Sequence, residues 1–383
     1  MTGERVRGMS RRQLLARGGC ALCLLAFSEK LLPGGKGLLA ARRDPRFERV
    51  ALHWKKKKEG SIVQCRLCPN ECTIADGERG LCRVRENRRG TLYTLVYSRL
   101  AAVHLDPVEK KPFYHLLPGS LAFSVATAGC NMSCKFCQNW ELSQSVPEDL
   151  DASPMSPSEF SGNAKRSGAR VVAFTYNEPT VQYEYIMDAA QASRKLGLRP
   201  VIVSNGYIRP NASAELAARL EAVKIDLKAF SQRFYADICG GNLKDVLQNL
   251  ETVKESGRWL EIVVLIIPTL NDSPREIREM SRWVRANLSP NVPMHFSRFR
   301  PIYLMKNLPP TPVSTLERCR EIARAEGIRY AYVGNVPGHR FENTYCHSCG
   351  RVIIKRGGFT VVESLIRAGK CTYCGTAIPG IWA

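Results

Sequence analysis

From Leu121 to about residue 335, short apolar runs alternate with longer stretches whose apolar positions recur at helical spacing. The runs at 122–127, 171–175, 200–204, 223–227, 260–267 and 293–297 read as strands, and amphipathic helices such as Val181–Leu196 and Pro274–Asn287 fall between them. About six β/α units fit, which makes the fold α/β with a parallel sheet. Periodicity alone does not separate a partial (β/α)6 barrel from a doubly wound sheet. In both, function gathers at the carboxyl ends of the strands. Upstream, the alternation Leu92-Tyr93-Thr94-Leu95-Val96-Tyr97 predicts a strand or hairpin, and Pro107 and Pro112 make 106–112 an extended loop.

The predicted strand ends carry polar clusters. Tyr176-Asn177-Glu178-Pro179 follows 171–175, and Ser204-Asn205-Gly206 closes 200–204. Asp226 and Lys228 lie at the end of 223–227, Thr269-Leu270-Asn271-Asp272 follows 260–267, and His295 sits inside 293–297. A lone polar residue in such places is usually solvated or structural. Five clusters at corresponding ends predict a shared site.

Charge and cysteine usage refine this picture. The net charge of +21 is uneven, because residues 1–60 hold 15 Lys/Arg against 5 Asp/Glu. The remaining +11 is spread thinly and reads as a solvated basic face. Nucleic-acid binding would need basic and aromatic residues interleaved on one face, and no such stretch appears, so no nucleic-acid partner is expected. Of the fifteen cysteines, eleven fall into three tight groups, which is metal-site spacing and requires reduced thiols. Cys20, Cys23, Cys239 and Cys319 have no partners at ligand spacing and read as packing residues.

Cys130, Cys134 and Cys137 form one group, in the string Gly-Cys-Asn-Met-Ser-Cys-Lys-Phe-Cys-Gln-Asn-Trp. Three thiolates can hold three irons of a four-iron, four-sulfur (4Fe–4S) cluster and leave the fourth iron open. Structural zinc fits less well, since it needs four ligands and this loop offers no fourth. Cys65, Cys68, Cys72 and Cys82, spaced C-x2-C-x3-C-x9-C, can close either a zinc site or an auxiliary iron–sulfur cluster. Cys346, Cys349, Cys371 and Cys374 form two C-x2-C-Gly knuckles separated by 21 residues, a zinc-ribbon pattern with a structural job such as covering one end of the barrel.

The C-x3-C-x2-C loop, with Phe136 before its last cysteine, resembles the signature of radical S-adenosylmethionine (SAM) enzymes. The longer string is similar to the branch that includes pyruvate formate-lyase activating enzyme, and most closely to the radical SAM member of the AmmeMemoRadiSam group, whose Cys-rich segment matches Cys65 to Asn87. The resemblance runs from about Cys65 to Trp382 and implies a partial (β/α)6 barrel. It also implies a 4Fe–4S cluster, and cleavage of SAM to a 5′-deoxyadenosyl radical that abstracts hydrogen from a substrate. A glycyl radical on a partner protein is one form of that chemistry, and a low-potential donor such as flavodoxin or ferredoxin is the implied electron source. Site residues carry over by position. Asn177-Glu178-Pro179 lies where activating enzymes have Gly-Gly-Glu-Pro, the motif that grips the SAM ammonium; Tyr176 and Asn177 replace its glycines. Asp226, Lys228 and His295 align with contacts to the SAM carboxylate and ribose, and Ser204 and Asn205 with the segment facing the ribose, where Val203 replaces an acidic residue. The competing class is a non-enzymatic iron–sulfur or zinc protein, for electron transfer or nucleic-acid binding. A carrier cluster would normally have every iron ligated, which the open loop does not provide.

The expected layout is a twin-arginine-type signal at 1–41, built on Arg11-Arg12, and a basic linker at 42–60. A four-Cys segment at 61–120, the partial barrel at 121–335 and the ribbon at 336–383 follow. The leader points to export, whereas the need for SAM and a reductant points to the cytoplasm or the inner face of the membrane. Its apolar run is too short to span a membrane.

Overall fold

The computed structural model describes residues 44–57 and 60–383; the signal expected at 1–41, with Cys20 and Cys23, lies outside the described residues. Eight strands make the central sheet: β1 (Ala102–Pro107), β2 (Leu121–Ala126), β3 (Val171–Phe174), β4 (Arg199–Ser204), β5 (Ala222–Asp226), β6 (Trp259–Ile266), β7 (Met294–Arg298) and β8 (Ala331–Gly334). They lie side by side in chain order, β2 to β8 parallel and β1 antiparallel to β2.

That order decides between the two sheets left open by periodicity. A doubly wound sheet reverses its strand order at a switch point, whereas here each right-handed crossover steps to the next strand. The six crossover helices therefore share one face and the sheet curls with the other face inward, as a partial barrel. They are α1 (Pro157–Arg166), α2 (Tyr183–Lys195), α3 (Pro210–Arg219), α4 (Leu243–Glu255), α5 (Pro274–Trp283) and α6 (Val313–Ala325). Their starts are written locally. α1 and α5 have proline at the first position behind a serine cap, and Ser156 and Glu159 complete a capping box.

Strands β1 and β8 extend the sheet beyond the six expected. β8 is short and tyrosine-bearing, and β1 is an edge strand ending at Pro107, which needs no ladder donor there. The 106–112 stretch is thus strand end followed by a 3₁₀ turn at Val108–Lys110.

The Cys-rich segment adds two small sheets. The expected hairpin is Thr91–Thr94 on Arg85–Arg88, with Arg49–Val50 beyond it, and Trp54–Lys56 pairs with Val63–Cys65. The stretch read as a linker thus carries two short strands, Arg49–Val50 and Trp54–Lys56, and two buried residues, Phe47 and Ala51. The C-terminal segment forms the sheet of Thr344–Tyr345, Val352–Gly357 and Thr360–Ser364. Its Ile353, Ile354 and Cys371 pack with Tyr330 and Tyr332 of the β8 edge and with Tyr114.

Candidate active site

The three-cysteine loop leaves β2 through Gly129, whose φ of +91° and contacts both require glycine: a Cβ there would meet the Cys82 carbonyl oxygen at 2.5 Å. The loop is then pinned from outside. Ser133 N–H donates to Cys239 O at 2.9 Å, Lys135 N–H to Ile238 O at 3.0 Å, and Asn139 Nδ2 to Tyr176 O at 2.8 Å. Gly240 lets this backing segment come close, since a Cβ there would meet Ser133 Oγ at 2.5 Å. Cys239, read from sequence as packing, thus supports the loop, and its carbonyl lies 4.0 Å from Cys134 Sγ.

Cys130, Cys134, Phe136 and Cys137 open onto one cavity of about 420 Å³ at the carboxyl ends of the strands. The three are free thiols. Among the described residues, they are not a group whose sulfurs all lie within 4.8 Å of one another, as ligands of a single ion must. Three thiols around a wider space suit a cluster, which carries an iron at each corner. Burial pushes the Cys130 and Cys137 thiols up, whereas a hydrogen bond with Cys239 and the Lys228 charge, against burial, hold Cys134 down.

Facing the thiols are seven of the eight residues expected to bind the cofactor: Phe136, Asn177, Glu178, Ser204, Asn205, Asp226 and Lys228 line the same cavity. Glu178 Oε1 accepts from Thr180 N–H (3.0 Å), Thr180 Oγ1 (2.7 Å) and Ser204 Oγ (2.8 Å), and Oε2 accepts only from Asn205 N–H (2.7 Å). Oε2 keeps acceptor capacity, and burial raises the carboxyl's pKa. Asn177 Nδ2 donates to Gly129 O at 2.8 Å, while its Oδ1 is a buried acceptor without a partner among the described residues. A buried orphan acceptor beside an underused carboxylate oxygen fits an ammonium group. Tyr176 has a φ of +70°, so a bulky residue keeps a backbone conformation natural to glycine; its hydroxyl donates to Asp106 Oδ2 at 2.8 Å.

Asp226 is clamped between Lys224 (2.7 Å) and Lys228 (2.8 Å), which, against the cost of burial, hold its carboxyl well below the usual range. Each lysine spends one donor on Asp226 and has others for an anionic ligand. Lys224 was missed in the sequence, although Lys224-Ile225-Asp226-Leu227-Lys228 alternates and a strand turns alternate residues to one face.

His295 is the exception. It is not among the residues lining the cavity; its Nε2 lies 2.8 Å from Glu261 Oε2, and its ring stacks on Tyr332 at 4.9 Å. Glu261 is wholly buried and also accepts from the N–H groups of Tyr114 and His115. That inner carboxylate draws the imidazole away from the site.

The two four-cysteine groups differ. Cys346, Cys349, Cys371 and Cys374 have their sulfurs within 4.8 Å of one another, with Cys346–Cys374 at 3.6 Å and Cys349–Cys371 at 3.9 Å. A tetrahedral ion with sulfur bonds of about 2.3 Å needs sulfurs about 3.8 Å apart. Cys65, Cys68, Cys72 and Cys82 instead surround a cavity of their own.

Residues 124–284 match the radical SAM superfamily model. The chain is 38% identical over 325 residues to the uncharacterized protein MJ0808 of Methanocaldococcus jannaschii, covering 84% of this chain and 97% of that one. It is 26% identical over 160 residues to the pyruvate formate-lyase-activating enzyme of Clostridium pasteurianum, covering 41% of this chain and 66% of that one. Among solved structures, Streptococcus suis SuiB bound to S-adenosylmethionine aligns with 15% identity and a TM-score of 0.44, covering 60% of this chain and 50% of that one.

Proposed function

This chain belongs to the radical SAM superfamily, and from that membership we propose that it abstracts hydrogen from its substrate with a 5′-deoxyadenosyl radical made in the 420 Å³ cavity. The cluster and SAM supply one-electron cleavage of a carbon–sulfur bond, yielding methionine and that radical, with the electron coming from a low-potential donor such as flavodoxin or ferredoxin.

The chain's own residues position and enclose. Cys130, Cys134 and Cys137 would hold three irons of the cluster. Asn177 Oδ1 and Glu178 Oε2 would accept from the SAM ammonium, and Lys224 and Lys228 would donate toward its carboxylate. Ser204 and Asn205 hold Glu178 in place, and Asn205 Nδ2 also donates to Asn131 Oδ1 at 2.9 Å, tying that strand end to the cluster loop. Phe136 screens the thiols, with Lys228 Nζ 5.9 Å from its ring centre. The C-terminal cysteines would hold zinc in a structural role, since their four sulfurs converge at ion-site spacing.

One observation carries this reading: three thiols of one loop and a buried orphan acceptor share a single cavity. Anaerobic reduction with dithionite in the presence of SAM, followed by quantification of 5′-deoxyadenosine and methionine, tests it. The two products should appear in equal amounts. Protein with a full iron complement that yields neither would sink the proposal. A protein substrate, with a glycyl radical as product, is the second form of the reading, favoured by the stretch similar to pyruvate formate-lyase-activating enzyme.

A further inference from the structure

The N-terminal cysteines are used by nothing described so far. Cys65 and Cys68 flank the end of the Val63–Cys65 strand, Cys72 precedes its partner Thr73–Ile74, and Cys82 lies in the turn before Arg85–Arg88. All four line one cavity of about 20 Å³, completed by Leu67, Ile74 and Val181. That space admits a body of at least water size. Four sulfurs closed on one tetrahedral ion, about 3.8 Å apart, would leave no such space between them. The C-terminal quartet provides the contrast inside the same molecule: its sulfurs converge at 3.6 and 3.9 Å. Among the described residues, no three of the N-terminal sulfurs lie within 4.8 Å of one another.

The surroundings are also those of a buried anionic group. Arg85, 1% exposed, donates from Nη1 to Cys65 Sγ at 3.4 Å, and Leu81 N–H donates to Cys72 Sγ at 3.5 Å. Two of the four sulfurs thus have an N–H donor, the arrangement that stabilises and tunes thiolate-bound clusters. We infer that Cys65, Cys68, Cys72 and Cys82 ligate a second iron–sulfur cluster, with every iron bound by the protein and none left open to SAM. It lies beside the first site, because Asn131 of the three-cysteine loop lines its cavity and Asn70 Nδ2 donates to Asn131 O at 2.8 Å.

The inference depends on the radical SAM reading only through the iron count, so the two are tested apart. Iron, zinc and acid-labile sulfide are measured on the full chain after anaerobic reconstitution, for wild type, the Cys130→Ala/Cys134→Ala/Cys137→Ala variant and a Cys68→Ser/Cys72→Ser variant. The triple variant should retain equal iron and sulfide, at least about two of each per chain, with an absorption spectrum that SAM does not alter. Iron without sulfide, or a second zinc in place of iron, overturns the inference. Should the triple variant not fold, wild type decides. Iron clearly above about four per chain that falls in the Cys68→Ser/Cys72→Ser variant supports the second cluster, and about four irons with two zincs refutes it. Failure to form 5′-deoxyadenosine would remove the proposed function and leave this count standing.

Discussion

The two quartets use the same ligand and reach opposite geometries, and the turns between their cysteines explain why. In the C-terminal ribbon each pair sits in a C-x2-C-Gly knuckle, where Gly350 and Gly375, with φ of +73° and +75°, reverse the chain. Their N–H groups return to Cys346 O at 3.0 Å and Cys371 O at 2.8 Å. Two tight knuckles press four sulfurs onto one point. The N-terminal group has one C-x2-C pair; its other two cysteines come from separate turns, with nine residues between them. Those sulfurs ring a space, and a buried arginine stands over one of them. Motif counting treats both as four cysteines; knuckle geometry separates an ion site from a cluster site.

The largest expected effect sets the reference for that contrast. Replacing Cys130, Cys134 or Cys137 with alanine should reduce 5′-deoxyadenosine production to background, because each loss removes one of only three protein ligands. A single variant that kept wild-type production would show that the trio is not the catalytic cluster site. Neither quartet should behave this way, since neither opens onto the large cavity.

Cys371→Ser should sharpen the contrast from the structural side. Structural zinc in small isolated domains contributes on the order of 10 kcal/mol to folding. Here the ribbon also leans on Tyr114, Tyr330 and Tyr332, so local melting is expected before loss of the barrel. Zinc should leave, amide exchange should rise over 344–375, and iron should stay. Loss of iron with zinc unchanged would reverse the assignment of metals to the two ends.

Arg85→Met probes the other quartet. It leaves Glu184 buried without its guanidinium partner and removes a donor from Cys65. Stranding one member of a buried pair costs about 3–5 kcal/mol. The Leu52 N–H, 2.7 Å from Glu184 Oε1, softens that loss toward the lower figure. Chemical denaturation should show the drop. Stability within a few tenths of a kcal/mol of wild type would mean that the arginine matters neither to the ion pair nor to the sulfurs.

Much of this was legible in the sequence, and the gaps have physical causes. The six inner strands announce themselves because a parallel strand buried on both faces is a continuous apolar run, as in Val171–Phe174. The edge strand β1 lacks that signature, because Asp106 is its one buried position, and β8 is only four residues long. Ligand groups were visible because cysteine spacing is local. Lys224 was not, because its role depends on what faces it across the barrel. His295 shows the converse, an aligned residue claimed by a buried carboxylate that pattern cannot see. Tyr176 shows that conformation can outlive the residue type that favours it, since its φ of +70° persists without glycine.

The smallest expected effect separates the two ends by acid. His115 is fully buried beside the C-terminal segment; Nδ1 donates to Pro379 O at 2.7 Å and Nε2 accepts from the Tyr332 hydroxyl at 2.6 Å. Both nitrogens are thus committed in the neutral ring. Burial lowers its pKa to about 4, although the nearby Glu261 works the other way. The unfolded chain takes up this proton below about 6.5, while the folded chain resists until about 4. Between those values the unfolded state binds more protons, so stability falls as pH falls, and the loss is complete near pH 4. That difference corresponds to roughly 3 kcal/mol. His115→Gln, which keeps an N–H for Pro379 O, should flatten the slope of unfolding free energy between pH 6.5 and 4. Acid release of the ribbon metal acts on both proteins and cancels in the difference. Equal slopes in wild type and variant would show that the histidine is not held neutral at this interface.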